Sequence, residues 1–140
     1  MRPRSKAREH ALRILYQLDV AHDPFEEGLA SYLRHHRVAT SSQPYVEALV
    51  RGTMAHREMI DAAITRHAVN WRLGRMAVID RNILRLAAYE LTVDHDVPPT
   101  VVINEAVDLA KRYGAPESGK FVNGILDSIR KATSAEPSVS

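Results

Sequence analysis

Apolar residues recur at intervals of three and four along almost the whole chain, and this pattern decides what the chain can fold into. In the first stretch Ala7, Ala11, Ile14, Leu15 and Leu18 mark one stripe of a helix from about Ser5 to Val20. No segment sustains the apolar–polar alternation of a half-buried strand, and no Asn-Gly or Asp-Gly pair separates two apolar runs. The expectation is an all-α chain of about seven helices.

Prolines and glycines divide the pattern. Asp23-Pro24 opens a second helix, with Asp23 as the N-cap and Pro24 in the first helical position, carrying Phe25, Leu29, Tyr32 and Leu33 on one side. The polar segment Arg37 to Gln43 reads as a loop, and a third helix starts near Pro44 with Val46, Leu49, Val50 and Met54. A fourth covers about Arg57 to Ala68 with Ile60, Ala63 and Ile64 inward, and Asn70 caps a short turn around Trp71 to Gly74. The fifth spans about Val78 to Val93, where Ile83, Leu84, Ala87, Ala88 and Leu91 make a broad apolar face. Pro98-Pro99 precedes a sixth helix, about Thr100 to Tyr113, with Thr100 as N-cap and Gly114 as a left-handed C-terminal cap. Pro116 opens the seventh, which runs to about Lys131, with a small, polar, disordered tail after it. The expected core is Leu15, Leu18, Leu49, Ile60, Ile64, Leu84, Leu91, Ile103, Val107, Val122, Ile125 and Ile129.

A chain of 140 residues fits one domain that buries roughly 68% of its unfolded surface. Residues 1–132 are expected to form that domain and 133–140 the tail. There is no apolar run long enough for a membrane span and no apolar signal core behind the basic N-terminus, which fits a cytoplasmic protein. Absence of cysteine excludes disulfides, thiolate metal sites and cysteine nucleophiles. The seven histidines form no ligand spacing with a known mechanism, and adjacent His35 and His36 point about 100° apart on a helix. There is no phosphate-binding glycine loop, serine elbow or dinucleotide fingerprint. Neither a cofactor nor a metal is implied, and a binding protein is expected rather than an enzyme.

Net charge is only +2, but Arg2, Arg4, Lys6 and Arg8 fall within the first eight residues. Such a cluster is either a solvated terminus or the footprint of an anionic partner. Arg4 and Arg8, four apart, share a helix face, and Arg13 broadens the positive surface. Tyr16, two turns beyond Arg8, either packs into the core or offers a ring to an unstacked base. At the other end Lys120 and Phe121 raise the same choice, since Phe121 lies at the edge of the stripe Val122, Ile125, Leu126 and Ile129. Asn123 and Gly124 sit mid-helix despite poor propensity, and Gly124 reads as a point of close helix approach.

Three strings carry a resemblance: DRNILRLAAYEL from Asp80, VPPTVVINEAVDLAKRYG from Val97, and SGKFVNGILD from Ser118. With the opening KAREHALRILYQLD they resemble the NusB family of bacterial transcription antitermination factors along nearly the whole chain. A similar domain fronts some ribosomal RNA cytosine methyltransferases, and an end at Ser140 favours the stand-alone factor.

The resemblance implies two packed helical subdomains and no catalysis. It implies binding of boxA single-stranded RNA in nascent ribosomal RNA transcripts together with NusE, a small-subunit ribosomal protein. The assembly would include NusA, NusG and RNA polymerase, and the family leaves a homodimer open. By position, Arg2, Arg4, Lys6, Arg8 and Tyr16 match the family's RNA-contacting N-terminal region, although alternating basic residues replace its arginine run. Lys120 and Phe121 match a second RNA patch, Glu117 an acidic position that influences RNA affinity, and Asp80 an acidic position at the NusE interface. A helical protein–protein adaptor whose basic arm is incidental is the competing expectation.

Overall fold

The computed structural model describes residues 3–69 and 71–135. Among them are seven α-helices and no strand: α1 Pro3–Ala21, α2 Phe25–His35, α3 Gln43–Ala55, α4 Arg57–His67, α5 Val78–Thr92, α6 Pro99–Tyr113 and α7 Ser118–Ala135, with a single 3₁₀ turn at Leu73–Arg75 between α4 and α5. Helices α1, α2 and α3 pack together, α4, α6 and α7 pack around α5, and α5 also contacts α1 and α3. The fold is therefore two helical groups that share one central helix.

Helix α5 sits there with most of its side chains buried, apolar and polar alike. Ile83, Leu84, Leu86, Ala87, Ala88 and Leu91 form its broad apolar face. It also buries Asn82, Arg85 and Glu90, which demand partners inside the fold. Asp19 at the end of α1 supplies one set. It accepts hydrogen bonds from Arg81 at 2.7 and 2.9 Å, from Asn82 at 2.9 Å and from Arg85 at 3.1 Å. Arg85 also donates to Asp61 of α4 at 2.9 and 3.2 Å. One carboxylate thus ties α1 to α5, and Arg85 carries the tie on to α4.

Helix boundaries follow the prolines more closely than the polar caps. Asp23 is not the N-cap of α2, and Thr100 is not that of α6. Those positions are taken by Pro24 and Pro98, with ψ of 138° and 140°. Pro98 precedes another proline, which forces it out of the helical region, so Thr100 falls inside the first turn. Gly114 is not left-handed either, since its φ is −96°. A β-carbon there would lie 2.6 Å from Ser118 Cβ and 2.8 Å from the Ala110 carbonyl oxygen, so close approach explains this glycine. The opposite correction applies to Gly124, whose absent side chain faces open space with nothing within 4 Å. The one left-handed non-glycine residue among those described is His22, φ 57°, just past the end of α1.

Helix α7 starts at Ser118, two residues later than Pro116, and continues through Ala135, beyond the expected end at Lys131. The proposed cap Asn70 and residues 136–140 lie outside the described residues. Among the expected core residues Val107 is only partly buried, and the others are buried.

Candidate nucleic-acid interface

The basic residues of α1 divide between two sides of the helix. Arg4 and Arg8 do share a face, but it turns toward α3, α5 and α6. Arg8 is 3% exposed, which corrects its expected role at an RNA surface. Its Nε donates to Glu90 Oε2 and its Nη2 to Glu90 Oε1, both at 2.9 Å. Its Nη1 lies 3.4 Å from Glu105 of α6. The cause is Glu90, a buried carboxylate on the central helix that must be paired where it sits. Arg4 remains half-exposed, 3.2 Å from Asp96 and 5.2 Å above the centre of the Tyr45 ring. Arg2 lies outside the described residues.

On the other side, Lys6, Glu9, Arg13 and Tyr16 follow at intervals of three and four. Tyr16 is 41% exposed, which removes the alternative of a core tyrosine. It shares an open groove of about 760 Å³ with Arg13, Tyr32, Tyr113 and Ala77, and so belongs with Arg13 rather than Arg8. Glu9 accepts hydrogen bonds from Arg112 at 3.0 Å and from Tyr113, with Lys6 Nζ at 3.9 Å. Burial pushes the Glu9 carboxyl up, but the Tyr113 hydroxyl and the cations Lys6, Arg112 and Arg13 outweigh it and hold it below the usual carboxylate range.

A second cleft, of about 500 Å³, opens between the start of α7, the start of α5 and the segment before α5. Asp80, Glu117, Lys120 and Phe121 all line it, so Asp80 of α5 meets three residues from the start of α7 at one surface. Phe121 resolves its alternatives by doing both: its ring packs against the core and also forms the cleft wall. Ser118 fixes the local start of α7, because its Oγ accepts from the Ala115 N–H at 2.9 Å.

Sequence reasoning missed Trp71, which it placed only in a turn. Trp71 is 52% exposed, and its ring meets Phe121 edge to face, with centroids 5.7 Å apart at 60°. The signal available was that the chain's only tryptophan falls in a connection, where an aromatic has no core to fill. Asp80 sits in the first turn of α5, where the helix dipole favours a negative charge. Asp80 is buried, 8% exposed, and its Oδ1 has no hydrogen-bond partner among the described residues. It borders a cleft with two aromatic rings and a lysine. Among the described residues no group of three or more His, Asp or Glu side chains is placed to hold a metal ion.

The model of the NusB family matches residues 5–131. The chain belongs to the NusB family. It is 48% identical over 127 residues to the transcription antitermination protein NusB of Anaeromyxobacter dehalogenans, covering 90% of this chain and 89% of that one. NusB of T. maritima superposes with a TM-score of 0.84 at 39% identity, over 94% of this chain and 92% of that one. A crystal structure of antitermination factors NusB and NusE in complex with dsRNA superposes with a TM-score of 0.86 at 33% identity, over 94% and 98%. The all-α fold of this chain is thus the NusB fold, and its two clefts are features of a NusB surface. No helix among the described residues is long and apolar enough to cross a membrane.

Proposed function

We propose that this chain is a non-catalytic transcription antitermination factor of the cytoplasm. It binds boxA single-stranded RNA of nascent ribosomal RNA transcripts together with NusE, within a complex containing NusA, NusG and RNA polymerase. The observation that carries this reading is the convergence of Trp71, Phe121, Lys120 and Asp80 on one cleft. An unpaired base stacks on an exposed aromatic ring. Lys120 meets the adjoining phosphate, which supplies affinity without reading sequence. Base-edge hydrogen bonds to the unpaired strand supply the reading of sequence, and Asp80 at the same cleft is the contact for NusE. Family membership and the solved NusB–NusE–dsRNA assembly support NusE and RNA as partners. Because this cationic surface is small, NusE is needed to extend the RNA contact.

Fluorescence anisotropy of labelled boxA RNA against a scrambled control, with and without NusE, tests the reading. The expected result is preference for boxA that strengthens with NusE. Equal, strongly salt-dependent binding of both RNAs, or NusE binding indifferent to RNA, overturns it in favour of the adaptor.

A further inference from the structure

Helix α7 carries a glycine that nothing inside the chain explains. Gly124 lies well within Ser118–Ala135 and is exposed. A β-carbon added there would meet nothing within 4 Å. The backbone freedom of glycine is not used either, since no glycine among the described residues has a positive φ. In a helix interior glycine is less stable than alanine, because it loses more freedom on folding. The position therefore gives up stability for a reason that lies outside the chain.

Two contacts show where that reason acts. The Phe121 ring meets Trp71, with centroids 5.7 Å apart, and Ser128 Oγ lies 2.7 Å from His67 Nδ1. At about 100° per residue, Gly124 sits about 60° round the helix from Phe121 and about 40° from Ser128. The segment that closes α4 thus follows α7 past Gly124. Val69 of that segment is 79% exposed and Trp71 is 52% exposed. An exposed apolar strip therefore has bare helix backbone at its edge, and Trp71 and Phe121 make it continuous with the cleft that holds Asp80.

We infer that this strip continues the NusE contact, with an aliphatic side chain of NusE seated against the bare backbone at Gly124 beside Val69. The inference rests on the reading of the chain as a partner of NusE. Lys120 and Asp127, one turn before and one turn after Gly124, supply the polar rim that surrounds the apolar centre of a protein interface. RNA suits the strip less well. Neither Val69 nor a glycine offers a charge to phosphate or a ring to a base.

The test measures NusE affinity by calorimetry on the full chain and its variants, with the melting temperature and boxA affinity of each free chain. Gly124→Ala should raise the melting temperature by about 4 °C and still weaken NusE several-fold. Gly124→Leu should be at least as stable as the unaltered chain and weaken NusE more than tenfold. Free chains of undiminished stability rule out misfolding as the cause. Asn123→Leu, an equally exposed change about 100° further round the helix, should leave NusE affinity unchanged, and an equal loss there overturns the inference. No gain in melting temperature from Gly124→Ala would show that the glycine serves the chain itself, which also overturns it. If Gly124→Leu binds NusE as tightly as the unaltered chain does, the inference is wrong and the functional reading stands. Loss of boxA affinity in free Gly124→Leu, with NusE affinity intact, assigns the strip to RNA instead. If the unaltered chain does not bind NusE, the functional reading falls, and the inference with it.

Discussion

Arg8 of α1 clasps Glu90 of α5 through two parallel hydrogen bonds of 2.9 Å, and the two side chains are only 3% and 2% exposed. This pair joins the N-terminal helix to the centre of the fold. Removing one partner of a buried pair strands the other charge, at a cost of about 3–5 kcal/mol. Arg8→Met should therefore lower the unfolding free energy by about that much, and Arg8→Met/Glu90→Leu should recover most of it. Lys6→Gln, at an exposed site, should change stability by less than about 1 kcal/mol. Denaturant unfolding of the four proteins checks the ranking, and equal stability of Arg8→Met and the unaltered chain would contradict it.

Acid should loosen the fold in two stages. His10 is buried against the Tyr32 hydroxyl at 2.8 Å. Burial, and then Lys6 and Arg13, push its pKa below the ordinary 6.5. A depressed folded-state pKa means that the stability it contributes is complete above 6.5 and is lost as pH falls below that value. Asp19 behaves likewise at lower pH. Despite burial, Arg81, Asn82 and Arg85 hold its pKa down to about 2, from 3.8. Its contribution, on the order of 2 kcal/mol, is present above 3.8 and lost as pH falls toward 2. Thermal unfolding followed from pH 8 to pH 3 should show the first decline as pH falls below 6.5, and His10→Phe should flatten that decline alone.

Much of the fold was legible from residue spacing alone. Apolar periodicity is a local property, and it located every helix within a few residues. The site was harder because its partners are remote. Spacing shows that Arg4 and Arg8 share a face but not that Glu90, 82 positions away, lies opposite. Trp71 and Phe121 are likewise brought together only by the packing of α7 on α5 and α4. The caps failed where proline geometry overrode side-chain preference, as at Thr100. Gly114 and Gly124 failed because the reason for a glycine depends on its spatial neighbours.

His22 holds a left-handed backbone, φ 57°, and its N–H donates to the Leu18 carbonyl at 3.1 Å. That conformation costs a residue with a β-carbon about 1–2 kcal/mol, and glycine escapes the penalty. His22→Gly should raise the melting temperature by a few degrees, whereas His22→Val should lower it. The reverse order in differential scanning calorimetry would rule out this cap.

In the cleft, binding and stability should separate. Trp71→Ala and Phe121→Ala should each weaken boxA binding by about 1–3 kcal/mol, the worth of one stacked base. Asp80→Ala removes an unsatisfied buried acceptor and a favourable helix-end charge together, so stability should stay within about 1 kcal/mol. The same change should weaken NusE binding. Paired measurements of melting and NusE affinity decide the point, and a loss of stability that tracks the loss of binding would make Asp80 structural.

Because the chain contains one tryptophan, its indole N–H reports on the cleft without ambiguity. The most direct measurement is therefore a heteronuclear NMR titration of the ¹⁵N-labelled chain, bound to unlabelled NusE, with boxA RNA. The Trp71 indole resonance should move with saturation, together with the amides of Lys120 and Phe121, while the amides of Arg130 and Lys131 stay in place. Saturable RNA binding that leaves the Trp71 indole, Lys120 and Phe121 unmoved would contradict the account.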